Sequence, residues 1–180
     1  MTPGSGQYFR AGVGMVVTDG ERKVLAIERR DLANAWQLPQ GGLEAGEEPE
    51  EAALRELQEE TGLAPSDVEL IGSLPGWLAY ELPREYRSEK TGRGQVQKWF
   101  LFRMRTGRSP SETFSSPEAN RVRWTTLSEL VERAVAFRQP VYRQLAEALE
   151  PMLEKMDSIP GVGMTNSEQP YSDHGHSEGS

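Results

Sequence analysis

Two short apolar runs, residues 12–18 and 23–27, open the patterned part of the chain and are separated by Asp19-Gly20, a dipeptide favoured in hairpin turns. Their length and β-branched content predict strands. The GVGMVV stretch inside the first run superficially resembles a dinucleotide-binding glycine fingerprint. It lacks the third glycine and a following helix, so it is read as strand. Residues 36–42 (WQLPQGG) predict a strand that stops at Pro39 and the glycine pair. Pro49 suits a first helical position and Gly62 the residue after the last, which predicts a helix over 49–61. Further strands are expected at 67–80, 96–104 and 121–124, and helices at 127–134 and 140–156. In the last helix Val141, Leu145, Ala148, Leu149, Met152 and Met156 form an apolar stripe at helical spacing, which is core and not a cofactor box. From residue 157 to 180 the chain is Gly, Ser, Pro and acid without periodicity. That predicts one domain over 1–156 followed by a disordered tail. His174 and His176 sit in that tail, where two imidazoles without further ligands make no metal site.

Composition narrows the class. The chain has 180 residues, 36% hydrophobic and 27% charged, enough for one domain with a real core. It has no cysteine, which excludes disulfides, thiolate metal sites and cysteine nucleophiles and fits a reducing cytoplasm. The longest run of apolar residues and glycine, 11–17, falls far short of the roughly 20 residues that span a bilayer, and MTPGSGQYFR has no signal-peptide apolar region. A cytoplasmic protein without a membrane partner is the expectation. The net charge of −8 argues at first against a polyanionic ligand. Position reverses that reading. Residues 44–60 hold eight glutamates and one arginine, whereas 84–108 hold eight Lys and Arg against Glu85 and Glu89.

The acidic segment carries the chemistry. Glu56, Glu59 and Glu60 fall at i, i+3 and i+4, so all three project from one helix face, where like charges repel. Three oxygen donors suit a hard divalent cation, and magnesium typically completes its shell with waters and substrate phosphates. Ala53, Leu54 and Leu57 offer the opposite face for burial, and Gly41 with Gly42 lets the backbone approach a ligand closely. A solvated glutamate-rich helix is the alternative. The wider spacing speaks against it: Gly41, five residues, Glu47, seven residues, Arg55-Glu56-Leu57, one residue, Glu59-Glu60, one residue, Gly62-Leu63. By chance such a pattern arises on the order of once in a million chains.

The segment resembles the Nudix box, G-x5-E-x7-R-E-U-x-E-E-x-G-U with U aliphatic, at every defined position. The resemblance implies an α+β fold, the Nudix α/β/α sandwich with a central mixed β-sheet. It further implies Glu56, Glu59 and Glu60, with Gly41, as the residues that hold Mg2+, or Mn2+ in its place, against a pyrophosphate. Glu59 and Glu56 would be catalytic, and Glu47, Arg55 and Gly62 structural. Outside the box, YFRAGVGMVV, WQLPQGG, GQVQKWFLF, SSPEANRVRW and AFRQPVYRQL look like the bacterial RNA pyrophosphohydrolase and dinucleoside polyphosphate hydrolase subfamily, over about residues 8–153.

That likeness implies a polyphosphate substrate. Arg10, Arg29, Lys98 and Arg138 are the candidate cations, Tyr80 and Phe137 the candidate base-stacking faces, and Gln40 and Gln97 further substrate contacts. Lys98 as a solvated strand residue and Phe137 as core are the plain alternatives. Glu118 stands where the subfamily has an additional acidic residue for a further magnesium or for water activation. Arg138 replaces the lysine common in RNA-active members, keeping the charge in a forked shape, and Ala35 replaces a serine found in some relatives. RNA 5′ ends or dinucleoside polyphosphates are the expected partners, and DNA is not. A Nudix enzyme acting on other nucleoside diphosphate derivatives, or an inactive Nudix-fold binding module, are the rival readings.

Overall fold

The computed structural model describes residues 8–105, 110 and 119–157. Glu118, His174, His176 and the expected tail from 158 onward lie outside the described residues. Among those described, the strands are β1 (Phe9–Thr18), β2 (Val24–Arg29), β3 (Trp36–Gln37), β4 (Gln40–Gly42), β5 (Val68–Glu81), β6 (Gly94–Met104) and β7 (Ala119–Thr125). The helices are α1 (Pro49–Thr61), α2 (Leu127–Arg133) and α3 (Gln139–Asp157).

The sheet is mixed. β1 runs parallel to β6 from Phe9↔Gly94 to Thr18↔Arg103, and β5 pairs antiparallel with the far side of β6. The other edge of β1 is shared between β4, at Gly12 to Gly14, and β2, at Thr18↔Val24. The Asp19-Gly20 turn is therefore wider than a two-residue hairpin. Asp19 Oδ1 accepts the Glu21 and Lys23 N–H groups (2.8 and 3.1 Å), and Gly20 takes φ +90°.

Strand alternation sorts the interior into two cores. Val13, Met15, Val17, Leu25 and Ile27 pack with Ala52, Ala53 and Leu57 of α1. Val16, Val24, Ala26, Trp99 and Leu101 point the other way, against Leu130 of α2 and Val141, Leu145 and Leu149 of α3. Helices cover both faces of one sheet, the expected α/β/α sandwich. Each fully buried leucine contributes about 1.5–3 kcal/mol. The α3 stripe continues from Leu149 to buried Leu153 along the i+4 row, leaving Met152 exposed.

Residues 36–42 form two strands instead of one. β3 pairs with β2 and β4 with β1, because Pro39 has no N–H to continue a ladder. Backbone groups at the break find other partners: the Leu38 N–H donates to the Tyr142 hydroxyl (3.0 Å), and the Pro39 carbonyl accepts from Met15 N–H (2.9 Å). This break sets β4, with its two glycines, against the middle of β1 and beside α1.

Candidate active site

The carboxylate helix is well delimited. Pro49 opens α1, Glu50 and Glu51 lie at its positive end, and Gly62 closes it at φ +76° with its N–H on the Gln58 carbonyl (2.9 Å). From the middle of α1 the Arg55 guanidinium holds four acceptors. It donates to both oxygens of Glu47 (2.8 and 2.9 Å), to Glu56 Oε1 (2.8 Å) and to the Gly42 carbonyl (3.0 Å). Glu47 accepts the Glu44 N–H as well (3.0 Å). The Arg55 guanidinium, then that N–H, pull the Glu47 carboxyl from an ordinary 4.5 down to about 2. Arg55 itself is held above the usual arginine range, chiefly by Glu47. Glu47 and Arg55 thus form a bracket tying the 42–47 loop to the helix.

The glycine pair has a steric reason. A Cβ at Gly41 would sit 1.9 Å from Glu56 Cδ, and one at Gly42 would sit 2.7 Å from an Arg10 guanidinium nitrogen. The Glu56 carboxylate consequently lies on the β4 backbone, accepting the Gly42 N–H (3.1 Å). Glu59 is exposed, 3.8 Å from Arg55. Glu60 is buried, and its Oε2 accepts the Gln40 N–H (2.8 Å). The three carboxylates share a helix side, but Glu56 and Glu59 lie toward Arg55 whereas Glu60 turns to the Gln40 N–H. Among the described residues no three acidic or histidine side chains converge on a common point. The donor set is nevertheless all hard oxygen, and the room left by the missing Gly41 Cβ is filled by Glu56. Glu56, Glu59 and Glu60 fit a divalent cation on those grounds.

Two recesses flank this helix. A groove of about 190 Å³ is lined by Arg10, Gly41, Gly42, Glu56 and Gln40. A cleft of about 470 Å³ is lined by Arg29, Arg30, Gln37, Gln40, Glu60 and Arg138. Gln40 belongs to both, so the recesses adjoin there. Gln97, buried, donates to Gln95 Oε1 (3.0 Å) and Gln40 Oε1 (3.3 Å), fixing that shared wall. Arg29 donates to Asp31 (2.8 Å through Nε) and lowers its carboxyl pKa. Buried Glu28 receives the Arg121 fork (2.8 Å to each oxygen) and the Asn34 N–H (2.8 Å), which fixes the segment between β2 and β3. Those bonds, Arg121 first, lower its pKa to about 2.

The expected substrate residues do not all converge. Arg138 is buried, donates to Gln37 Oε1, and its guanidinium lies over the Tyr80 and Phe137 rings (5.9 and 5.8 Å). Tyr80 is core, stacked under half-buried Phe137 at 5.8 Å, with its hydroxyl on Gln95 Oε1 (2.8 Å). Lys98 points away from this group. Strand alternation sends it to the α1 face, where it donates to the Leu74 carbonyl and lines a separate hollow of about 490 Å³ with Glu48, Glu50 and Glu51. Gln37, Arg30 and Gln95 line the recesses without having been singled out. Gln95 was legible, because it shares a strand face with Gln97 at a spacing of two; the others had no distinguishing signal.

The chain matches the model of the NUDIX domain over residues 8–145. It is 41% identical over 150 residues to an RNA pyrophosphohydrolase of Rhodospirillum rubrum, covering 81% of this chain and 89% of the relative. An RNA pyrophosphohydrolase of Teredinibacter turnerae is 38% identical over 159 residues, covering 86% and 93%. Nudix hydrolase 26, chloroplastic, of Arabidopsis thaliana is 34% identical, covering 81% and 71%. In three dimensions the fold is similar to a C. elegans Ap4A hydrolase binary complex (TM-score 0.60, 20% identity, 79% of this chain and 98% of that one). It is also similar to the E. coli dihydroneopterin triphosphate pyrophosphohydrolase (TM-score 0.62, 19% identity, 79% and 99%).

Proposed function

Since the chain belongs to the Nudix family, we propose that it is a cytoplasmic, magnesium-dependent hydrolase that removes pyrophosphate from the 5′-triphosphate end of RNA, leaving a 5′-monophosphate. The observation that carries this reading is the pair of adjoining recesses. One bears the α1 carboxylate Glu56 with Arg10, the other Arg29 and Arg138, and Gln40 bridges them. A polyphosphate lying across Gln40 meets Glu56 and Arg10 on one side, and on the other three arginines, Arg29, Arg30 and Arg138, with the Asp31 and Glu60 carboxylates among them. The RNA pyrophosphohydrolases about 40% identical to it over the aligned residues support the choice of substrate.

Glu56, Glu59 and Glu60 would hold the magnesium, which when bound supplies charge neutralisation and a more acidic water. The protein does the rest. Water attacks phosphorus, the phosphoanhydride P–O bond breaks, and the leaving phosphate or pyrophosphate departs. Glu59, exposed on the helix, takes the proton of the attacking water. Arg10 and Arg29 offset the charge that develops on the leaving group. Arg55 keeps one Glu56 oxygen occupied, so that carboxylate is oriented and not free to act as a base.

Dinucleoside polyphosphates are the second reading, and Arg138 favours it. That side chain is only 8% exposed and engaged with Gln37 and two rings, which suits a compact nucleotide better than an RNA backbone. With magnesium present, phosphate, pyrophosphate and AMP release is measured side by side from 5′-triphosphorylated RNA and from diadenosine tetraphosphate. The proposal expects 5′-monophosphorylated RNA as the faster product. Rapid formation of ATP and AMP with inert RNA would transfer the assignment to the second reading, and inertness toward both would reject it.

A further inference from the structure

The turn between β5 and β6 carries an aromatic side chain that the reaction above does not use. Tyr86 ends the short 3-10 turn Arg84–Tyr86 and is 58% exposed. Its backbone is fixed on both sides: its N–H donates to the Pro83 carbonyl (2.9 Å), and its carbonyl accepts the Thr91 hydroxyl (2.8 Å). The ring meets Phe137 at 6.1 Å, tilted by 47°. Phe137 in turn stacks on Tyr80, and the Arg138 guanidinium that lines the cleft lies over both. An aromatic ledge therefore runs out of the cleft to the surface, ending on Tyr86. Arg84 on the same turn and Lys90 just beyond it are exposed and have no ion-pair partner among the described residues.

A rigidly held exposed ring beside unpaired cations is the arrangement that takes a single strand of nucleic acid, stacking a base on the ring and drawing its phosphates to the charges. We propose that Tyr86 stacks a base of single-stranded RNA downstream of the 5′-terminal nucleotide, with Arg84 and Lys90 neutralising the adjoining phosphates. This rests on the RNA reading of the site and assigns Tyr86 a role in substrate length: the ledge engages chains of nucleotides and gives nothing to a lone nucleoside triphosphate.

The test uses a short single-stranded RNA with 2-aminopurine at its second or third position, in 5′-triphosphate and 5′-monophosphate forms. The parent protein should quench the 2-aminopurine on binding, and Tyr86→Ala should lose the quench. Tyr86→Ala should also raise KM for the triphosphorylated RNA roughly 5- to 100-fold with kcat kept, while Tyr86→Trp restores the parent KM. Because the ring is exposed, the melting temperature of Tyr86→Ala should stay near that of the parent. Equal quenching and an unchanged KM in Tyr86→Ala would overturn the proposal. The monophosphate RNA reports binding without turnover, so a parent that binds and quenches yet releases no phosphate would sink the hydrolase reading and leave the ledge standing.

Discussion

On the α1 side of the sheet, Arg55 gathers Glu47, Glu56 and the Gly42 carbonyl from at most 13 residues away. On the α3 side, Arg138 meets Gln37 across 101 residues, and Tyr142 reaches Leu38 across 104. One half of the site is a continuous segment wired to itself. The other exists only once the 29–40 stretch, Glu60 and Arg138 have packed together. The first should therefore fail chemically when altered, with the fold intact, and the second should fail through packing and substrate affinity together.

The sharpest break of this contrast lies in the carboxylate helix. Glu56→Gln keeps the size of the side chain and its place on the Gly42 N–H, so the fold should survive while kcat falls on the order of 100- to 10,000-fold, as measured by phosphate release with the melting temperature as control. Gly41→Ala comes next. The added Cβ must push the Glu56 side chain off the Gly42 N–H and Arg55, so kcat should drop on the order of 100-fold and the unfolding midpoint should fall with it.

The same contrast explains what could be read from the chain alone. Pro49, Gly62, the glutamate spacing and the glycine pair act within one helix turn or one strand, so α1 and its bracket were legible. The cleft depends on decisions made elsewhere. Pro39 breaks the ladder locally, but the Leu38 N–H that the break leaves over is taken by Tyr142, 104 residues on in α3. Tyr80 reads as a free aromatic face until Phe137 covers it. Lys98 reads as one more cation of the cleft, but Gln97 already points there, and neighbouring strand residues face opposite sides. Glu60 matches Glu56 and Glu59 in spacing, yet burial turns it to the Gln40 N–H.

The α3 side is probed by Tyr142→Phe. Buried Leu38 N–H loses its acceptor, which should cost about 1–3 kcal/mol in denaturant unfolding and raise KM, since β3 and β4 line the cleft, whereas kcat should hold. Acid titration gives the smallest effect and compares the two sides directly. Glu47 on one side and Glu28 on the other both have folded pKa values near 2 against an ordinary 4.5. The stability each contributes is fully present above about 4.5 and is lost as pH falls toward 2. Arg55→Met should raise Glu47 and leave Glu28 unchanged, and Arg121→Met should raise Glu28 and leave Glu47 unchanged, as followed by carboxyl NMR shifts. A change at both sites from either substitution would mean that the two halves are electrostatically coupled and not independent.

The central claim is that the exposed carboxylate of α1 removes a proton from water during phosphoanhydride hydrolysis. Its most direct test is the single-turnover rate of 5′-monophosphate formation from triphosphorylated RNA, with magnesium, by Glu59→Gln against the parent across pH. Glu59 is 63% exposed on its side chain, so the substitution should leave folding unchanged. The expected result is a rate on the order of 100-fold or more below the parent at every pH measured. A Glu59→Gln protein that cleaves at the parent rate would contradict it.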